Sequence, residues 1–171
     1  VAADNIARIW RQWKDHRYPE PDSSGEALFS FAGEPGAFQL VFMDLGTPRP
    51  GDGQAYGYLR DRLVQAGIPR HMIRFAQDYE TPDEKRRLYK DCREGRVAVL
   101  VTSTEKGGTG VNVQDRLVAI HHVDAPWRPA DVEQREGRGL RPGNRHDTVL
   151  IYRYVTTGSF DAYMWQTLER K

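Results

Sequence analysis

From Gln134 to Arg141 the chain reads Gln-Arg-Glu-Gly-Arg-Gly-Leu-Arg, which sets Gln134, Arg138 and Arg141 at offsets of four and three. At about 100° per residue those side chains fall within one narrow wedge of a helix. Such a face is no core. Each guanidinium is a planar, permanently charged fork of donors, and a converging pair suits a polyanion such as a triphosphate. Gly137 and Gly139 lie inside or beside the same turn. If helical, each costs about 1 kcal/mol relative to alanine, so something other than helix stability requires them. A plainer reading also fits the spacing: a solvated helix end where Glu133 and Glu136 pair with neighbouring arginines.

Other stretches could carry chemistry. Val97-Ala98-Val99-Leu100-Val101 runs into Thr102-Ser103-Thr104-Glu105-Lys106-Gly107-Gly108-Thr109-Gly110, a glycine-rich strand-to-helix turn. Glycines there allow close backbone approach, and amides opening a helix can bind phosphate oxygens, although such turns also arise for steric reasons alone. No G-x-x-x-x-G-K-[ST] string occurs in the chain. His121, His122 and Asp124 bring metal-binding side chains close in sequence. Adjacent strand residues point to opposite faces, so the two imidazoles do not converge on one ion. Asp124-Ala125-Pro126-Trp127-Arg128-Pro129 reads as a rigid turn with Trp127 as a packing anchor, and Cys92 as an ordinary thiol in a polar helix.

The elements that must position these residues follow from periodicity. Ile6, Ile9, Trp10 and Trp13 are spaced as the apolar stripe of a helix over residues 4–17 that docks on a neighbour. Residues 19–37 are rich in Pro and Gly and read as a linker or long loop. Apolar runs at 38–43, 72–75, 97–101 and 117–123, with a further strand at 148–155, alternate with helices at 56–66, 82–94 and from 129 to 136. Thr81 and Glu84 form a capping box with Pro82 in the first turn. Ser159 caps a last helix whose apolar residues are Phe160, Tyr163, Met164 and Leu168. Strands alternating with helices predict an α/β fold with a mainly parallel sheet, helices on both faces and ligands at the carboxyl ends of strands.

Composition narrows the function classes. One cysteine in 171 residues fits an intracellular, cytoplasmic domain without disulfides, and no apolar run is long enough to span a membrane. The chain begins at Val1 rather than Met, as an excised fragment would. A net charge of +1 gives no global footprint for nucleic acid, so any such contact is local. Six arginines against four acids between Arg128 and Arg153 are compatible with phosphate contacts.

Taken in order, these stretches resemble superfamily-two helicases. Gln134, Gly137, Arg138 and Arg141 match the Q-x-x-G-R-x-x-R pattern of motif VI; Thr104, Glu105, Gly107, Gly108, Gly110 and Asn112 resemble motif V. Phe42-Met43-Asp44 stands in the place of motif IV. The Asp124 to Pro129 segment, and the strand and turn at 152–159, are similar to those flanking motif VI in Swi/Snf-type duplex translocases. Residues 107–116 and 159–171 look more like the helicase and DNA-methylase fusion proteins of phages and mobile elements. The resemblance covers residues 38–171 and implies the second RecA-like lobe of a motor, a three-layer sandwich, preceded at 1–37 by the amphipathic helix and linker.

In that family Arg138 and Arg141 would reach across the lobe interface as arginine fingers, and Gln134 would orient nucleotide or water. Glu105, Gly108, Gly110 and Asn112 would lie at the nucleotide and lobe interface, while Thr104, Lys106 and Thr109 would contact nucleic acid. The Walker A lysine and D-E-x-[HD] motif are absent from the chain, so ATP and Mg²⁺ would be held mainly by a first lobe of the same parent. The expected partners are that lobe and double-stranded DNA, with no membrane; alone, the domain would be an inactive monomer. Two other readings remain open: a catalytically silent RecA-like docking module for nucleic acid or protein, and an unrelated small-ligand α/β domain.

Overall fold

A computed structural model describes residues 1–21, 29–31, 33–44, 54–105, 112–126, 128–137, 139–155 and 158–170. Strands β3 (Phe38–Phe42), β4 (Ile73–Phe75), β5 (Val99–Thr102), β6 (Leu117–His122) and β7 (Leu150–Arg153) form one parallel sheet in the order β4-β5-β3-β6-β7. β3 is central: the chain goes from it to β4 and β5 on one side, then crosses from β5 past β3 to β6 and β7 on the other. That reversal is where doubly wound sheets open a crevice at the strand ends.

Residue alternation builds the layers. Leu40 and Phe42 of β3 face one core with Leu88, Cys92, Leu100 and Ile120, while Val41 faces the other with Ile6, Tyr56, Leu63, Val99 and Val101. Helices α1 (Ala2–Trp13) and α2 (Gln54–Gln65) cover the second face, and α3 (Pro82–Arg93) the first. The sheet is thus buried on both sides, as its unbroken apolar runs require. The Thr81 hydroxyl accepts from the Glu84 amide at 3.2 Å and Glu84 accepts from the Thr81 amide at 3.0 Å, completing the expected capping box. Cys92 is fully buried rather than on the polar face of its helix, and burial pushes its thiol far up. No helix among the described residues is long and apolar enough to cross a membrane.

Two expectations change. The stretch read as loop contains β1 (Pro19–Pro21) and β2 (Phe29–Phe31), an antiparallel pair, since proline is tolerated where a strand edge needs no donor. In α5 (Phe160–Glu169), capped by Ser159 as expected, the buried residue is Trp165, whereas Phe160 and Tyr163 stay 57% and 63% exposed. Trp165 packs edge-on to His122 and beneath Arg153, and Glu169 of the same helix pairs with Arg153 at the sheet edge.

A directed polar chain joins α1 to the sheet. Only the amide nitrogen of Gln39 can donate to the Ile6 carbonyl, at 2.9 Å, so its oxygen accepts from His121 Nε2 at 2.8 Å. His121 Nδ1 therefore accepts from the Tyr154 hydroxyl at 2.8 Å. Burial pushes His121 down to about 3 and Tyr154 up to about 12, which keeps both neutral. Unfolded chains take up a proton at His121 near the ordinary 6.5 whereas the folded one resists it, so stability is full above that pH and falls below it. Lowering the pH from 7 to 5 should remove about 2 kcal/mol through His121, and His121→Gln should shrink the loss by that amount in urea titrations at the two values. An unchanged loss in the variant would contradict this assignment.

Candidate nucleotide and nucleic-acid site

Three buried strands end on polar residues at neighbouring positions: Asp44 after β3, Thr104 after β5, and His122 with Asp124 at the end of β6. Helix α4 (Pro129–Glu136) lowers Arg135 among them, and this side chain is fully buried. All five guanidinium hydrogens find acceptors. Nε donates to Thr104 Oγ1 at 2.7 Å; Nη1 donates to the Asp124 carbonyl at 2.9 Å and His122 Nδ1 at 3.2 Å. Nη2 donates to Asp44 Oδ2 at 2.6 Å and Asp124 Oδ1 at 3.2 Å. The plane also lies over the Phe42 ring, 5.4 Å from its centroid. A guanidinium therefore fills the place where doubly wound folds open their crevice.

The surrounding groups are polarised to match. Burial raises the Asp44 carboxyl, but bonds from the Thr104 amide at 2.6 Å, the Thr104 hydroxyl at 2.7 Å and Arg135 outweigh it and hold the group below the usual carboxylate range. Asp44 also donates its amide to Asp124 Oδ2 at 2.7 Å, so the ends of β3 and β6 are tied directly. Arginine cannot give up its proton, so His122 must accept at Nδ1 and carry its hydrogen on Nε2, which donates to Glu136 Oε1 at 3.1 Å. Burial and Arg135 keep His122 below its ordinary value against the opposing pull of Glu136. The contact with Glu136 is thus a neutral-to-charged hydrogen bond and not an ion pair. Glu136 is itself lowered, by the His122 bond first and then by Arg153 at 3.3 Å.

The expected wedge of Gln134, Arg138 and Arg141 on one helical face is corrected. The helix stops at Glu136 with Gly137 as its cap, so Arg141 stands in the turn beyond, and its Nε donates back to the Gly137 carbonyl at 3.0 Å. Gln134 and Arg141 are exposed. Gly139 also gains a reason. A Cβ on Gly139 would lie 2.3 Å from Leu117 Cδ2 and 2.7 Å from Ile120 Cδ1, both fully buried, so only glycine lets the turn lie this close to β6.

Glu105 and Asn112 are exposed, and the Asn112 carbonyl accepts from Arg93 at 2.8 Å. Thr104 spends its amide and hydroxyl on Asp44 and Arg135, which makes it an internal tie rather than an outward donor. Lys106, Gly108, Thr109, Gly110, Trp127 and Arg138 lie outside the described residues. His121 and His122 do face opposite sides of the sheet, each with its own partners. Among the described residues no group of three or more His, Cys, Asp or Glu side chains is placed to hold a metal ion.

Arg135 is the residue that sequence reading missed. In the string it resembles its neighbours. The available signal was a short polar residue closing each apolar run, since buried acceptors require a buried donor.

Comparisons with known proteins bear on the fold and on part of the chain. Residues 68–143 match the model of the helicase conserved C-terminal domain. The Defense against restriction protein B of Escherichia phage P1 is 38% identical over 85 residues, which are 50% of this chain and 4% of that protein. The Bacillus subtilis protein called uncharacterized ATP-dependent helicase YqhH is 37% identical over 87 residues, 51% of this chain and 15% of that one. The chain thus spans only a small part of these relatives. The crystal structure of the C-terminal part of the Fun30 ATPase domain superposes with a TM-score of 0.59 at 19% identity, covering 76% of this chain and 38% of that one.

Gly139→Ala should destabilise the chain by about 1–3 kcal/mol, read as a lowered urea midpoint at constant slope. A midpoint that does not move would mean that the turn is not packed on β6. The parallel sheet and its strand order are those of an α/β fold shared with the C-terminal part of the Fun30 ATPase domain, and residues 68–143 are similar to the helicase conserved C-terminal domain.

Proposed function

We propose that this chain is the second motor lobe of an ATP-dependent DNA helicase or translocase and completes an ATPase site whose other half lies on a first RecA-like lobe. The observation that carries the reading is Arg141: an exposed guanidinium on a turn fixed at the Gly137 carbonyl, directly after a helix locked by the buried Arg135. A permanently charged fork held in place and turned outward suits phosphoryl oxygens supplied from outside the chain.

ATP is the substrate, and bound between lobes it supplies the phosphoryl group passed to water. Arg141, with Arg138, would stabilise charge on that group; Gln134, exposed on α4, would orient nucleotide or water. The groups assigned to the phosphoryl group, Arg138, Arg141 and Gln134, are guanidinium and amide, which suit phosphate rather than Mg²⁺, so the metal falls to the first lobe. Glu105 and Asn112, with Gly108 and Gly110, would meet that lobe. Lys106 and Thr109 would touch DNA phosphates, with Thr104 anchoring the stretch from within.

In the parent protein Arg141→Ala should lower DNA-stimulated ATP turnover by about 10³-fold or more while nucleotide binding persists. Unchanged turnover would give the lead to the silent docking module. The isolated chain should show no ATP turnover through successive purification steps. Its DNA binding should be weak, indifferent to sequence and steeply weakened by salt, as phosphate contacts require. Salt-resistant, sequence-selective binding in a filter or anisotropy assay would contradict this.

A further inference from the structure

Beneath the amino ends of β3, β4 and β5, one strand length or about 15 Å from the Arg135 cluster, lies a cavity of about 510 Å³. Much of its lining is apolar. Trp10 of α1 and Met72, just before β4, are half-buried and pack on the core beside it. Ala37 and Ala98 stand where β3 and β5 begin, and their small side chains leave the space open. Backbone bonds fix the frame: the Glu34 amide donates to the Glu94 carbonyl at 2.8 Å, and the Gly36 amide to the His16 carbonyl at 2.9 Å. Gly36 and Gly95 take φ of +115° and +84° there, a backbone region that suits glycine. The volume is that of an ordinary small-ligand site, and the walls are in place before any ligand arrives.

The charges on this lining are not balanced alike. Lys14 is held by Asp15 at 3.1 Å, and Arg96 by Asp91 at 2.7 Å and by Glu94. Arg74 is held only by neutral groups: its Nε donates to the His71 carbonyl at 2.6 Å and its Nη1 to the Tyr79 hydroxyl at 2.5 Å. Among the described residues no carboxylate stands within ion-pair range of it. Two bonds therefore fix the fork and leave three of its five hydrogens, with the full positive charge, for a further acceptor. Glu34, the remaining acid of the lining, is exposed. A half-buried, immobilised guanidinium beside apolar walls suits a planar anion, which it can grip through two parallel hydrogen bonds.

We propose that this cavity binds a small aromatic carboxylate, with its ring against Trp10 and Met72 and its carboxylate on Arg74. Such a ligand would meet none of the residues assigned to nucleotide or nucleic acid, so the site stands whether or not this chain is a motor lobe.

The test is titration of the 171-residue chain with naphthoate, followed by NMR, beside naphthamide, which has the same ring and no charge. Naphthoate should bind with a Kd on the order of 1 mM or tighter, shifting the Trp10 indole and the Met72 and Ala98 methyl groups while the amides of Thr104 and Asp124 stay in place. Naphthamide should bind about tenfold more weakly, because the guanidinium then meets no negative charge. Arg74→Gln should weaken naphthoate by about the same factor and change naphthamide by less than about twofold. Absence of shifts at millimolar naphthoate, shifts centred on Thr104 and Asp124, or equal affinity for acid and amide would each overturn the assignment. Should Arg74→Gln not fold, the ratio of acid to amide affinity on the unmodified chain decides alone: a ratio near ten supports the site, and a ratio near one removes it.

Discussion

A buried guanidinium has to satisfy five hydrogens without water, and Arg135 does so by drawing on three strand ends at once. Burying an unpaired charge costs several kcal/mol, so the fold cannot form this cluster loosely. Asp44, Thr104, His122 and Asp124 must arrive together, which fixes the relative heights of β3, β5 and β6 at their carboxyl ends. Removing one member of such a cluster costs about 3–5 kcal/mol in comparable buried pairs, because the remaining charges lose their compensation. The placement of α4 on the sheet, and of the turn that leaves it, is a consequence.

The same constraint organises the neighbours. Because Arg135 donates to His122 Nδ1, the imidazole must point its remaining hydrogen at Glu136, and Glu136 in turn holds Arg153 at 3.3 Å. Arg153 lies over Trp165 and pairs with Glu169, so α5 is joined to the central strands through one line of polar and aromatic contacts. On the opposite face His121 serves α1 through Gln39 and Tyr154. Two adjacent histidines thus carry two networks, one per face, and each depends on a neutral imidazole of fixed tautomer. Lysine in place of Arg135 would supply a point charge with three donors and no planar fork, too few for the acceptors assembled there.

Much of this architecture was legible beforehand because it depends on local rules. The apolar runs marked β3, β5 and β6, the Thr81–Glu84 pair marked the start of α3, and Pro129 and Gly137 bounded α4. At residues 134–141 the helix start was legible and the packing was not. Gly139 serves close packing on Leu117 and Ile120, which requires knowing which strand lies beneath it, and the helix ends too early to present Arg141 on its face. Arg135 itself was hidden, since a buried arginine and an exposed one are the same letter. Its acceptors come from residues 44, 104, 122 and 124, brought together only by the order β5-β3-β6. Trp165 was missed for the same reason: a tertiary partner, and not helical period, decides which side of α5 is buried.

The clamp is tested most directly by following the ring nitrogens of His122 with ¹⁵N NMR while the pH is lowered from about 7.5 to 5.5, the range in which free histidine gains its second proton. With Arg135 donating to Nδ1, the neutral ring carries its hydrogen on Nε2 and takes its second proton below the ordinary histidine range. If His122 instead titrated near the ordinary 6.5, or carried its hydrogen on Nδ1, the Arg135 guanidinium could not be seated on the three strand ends.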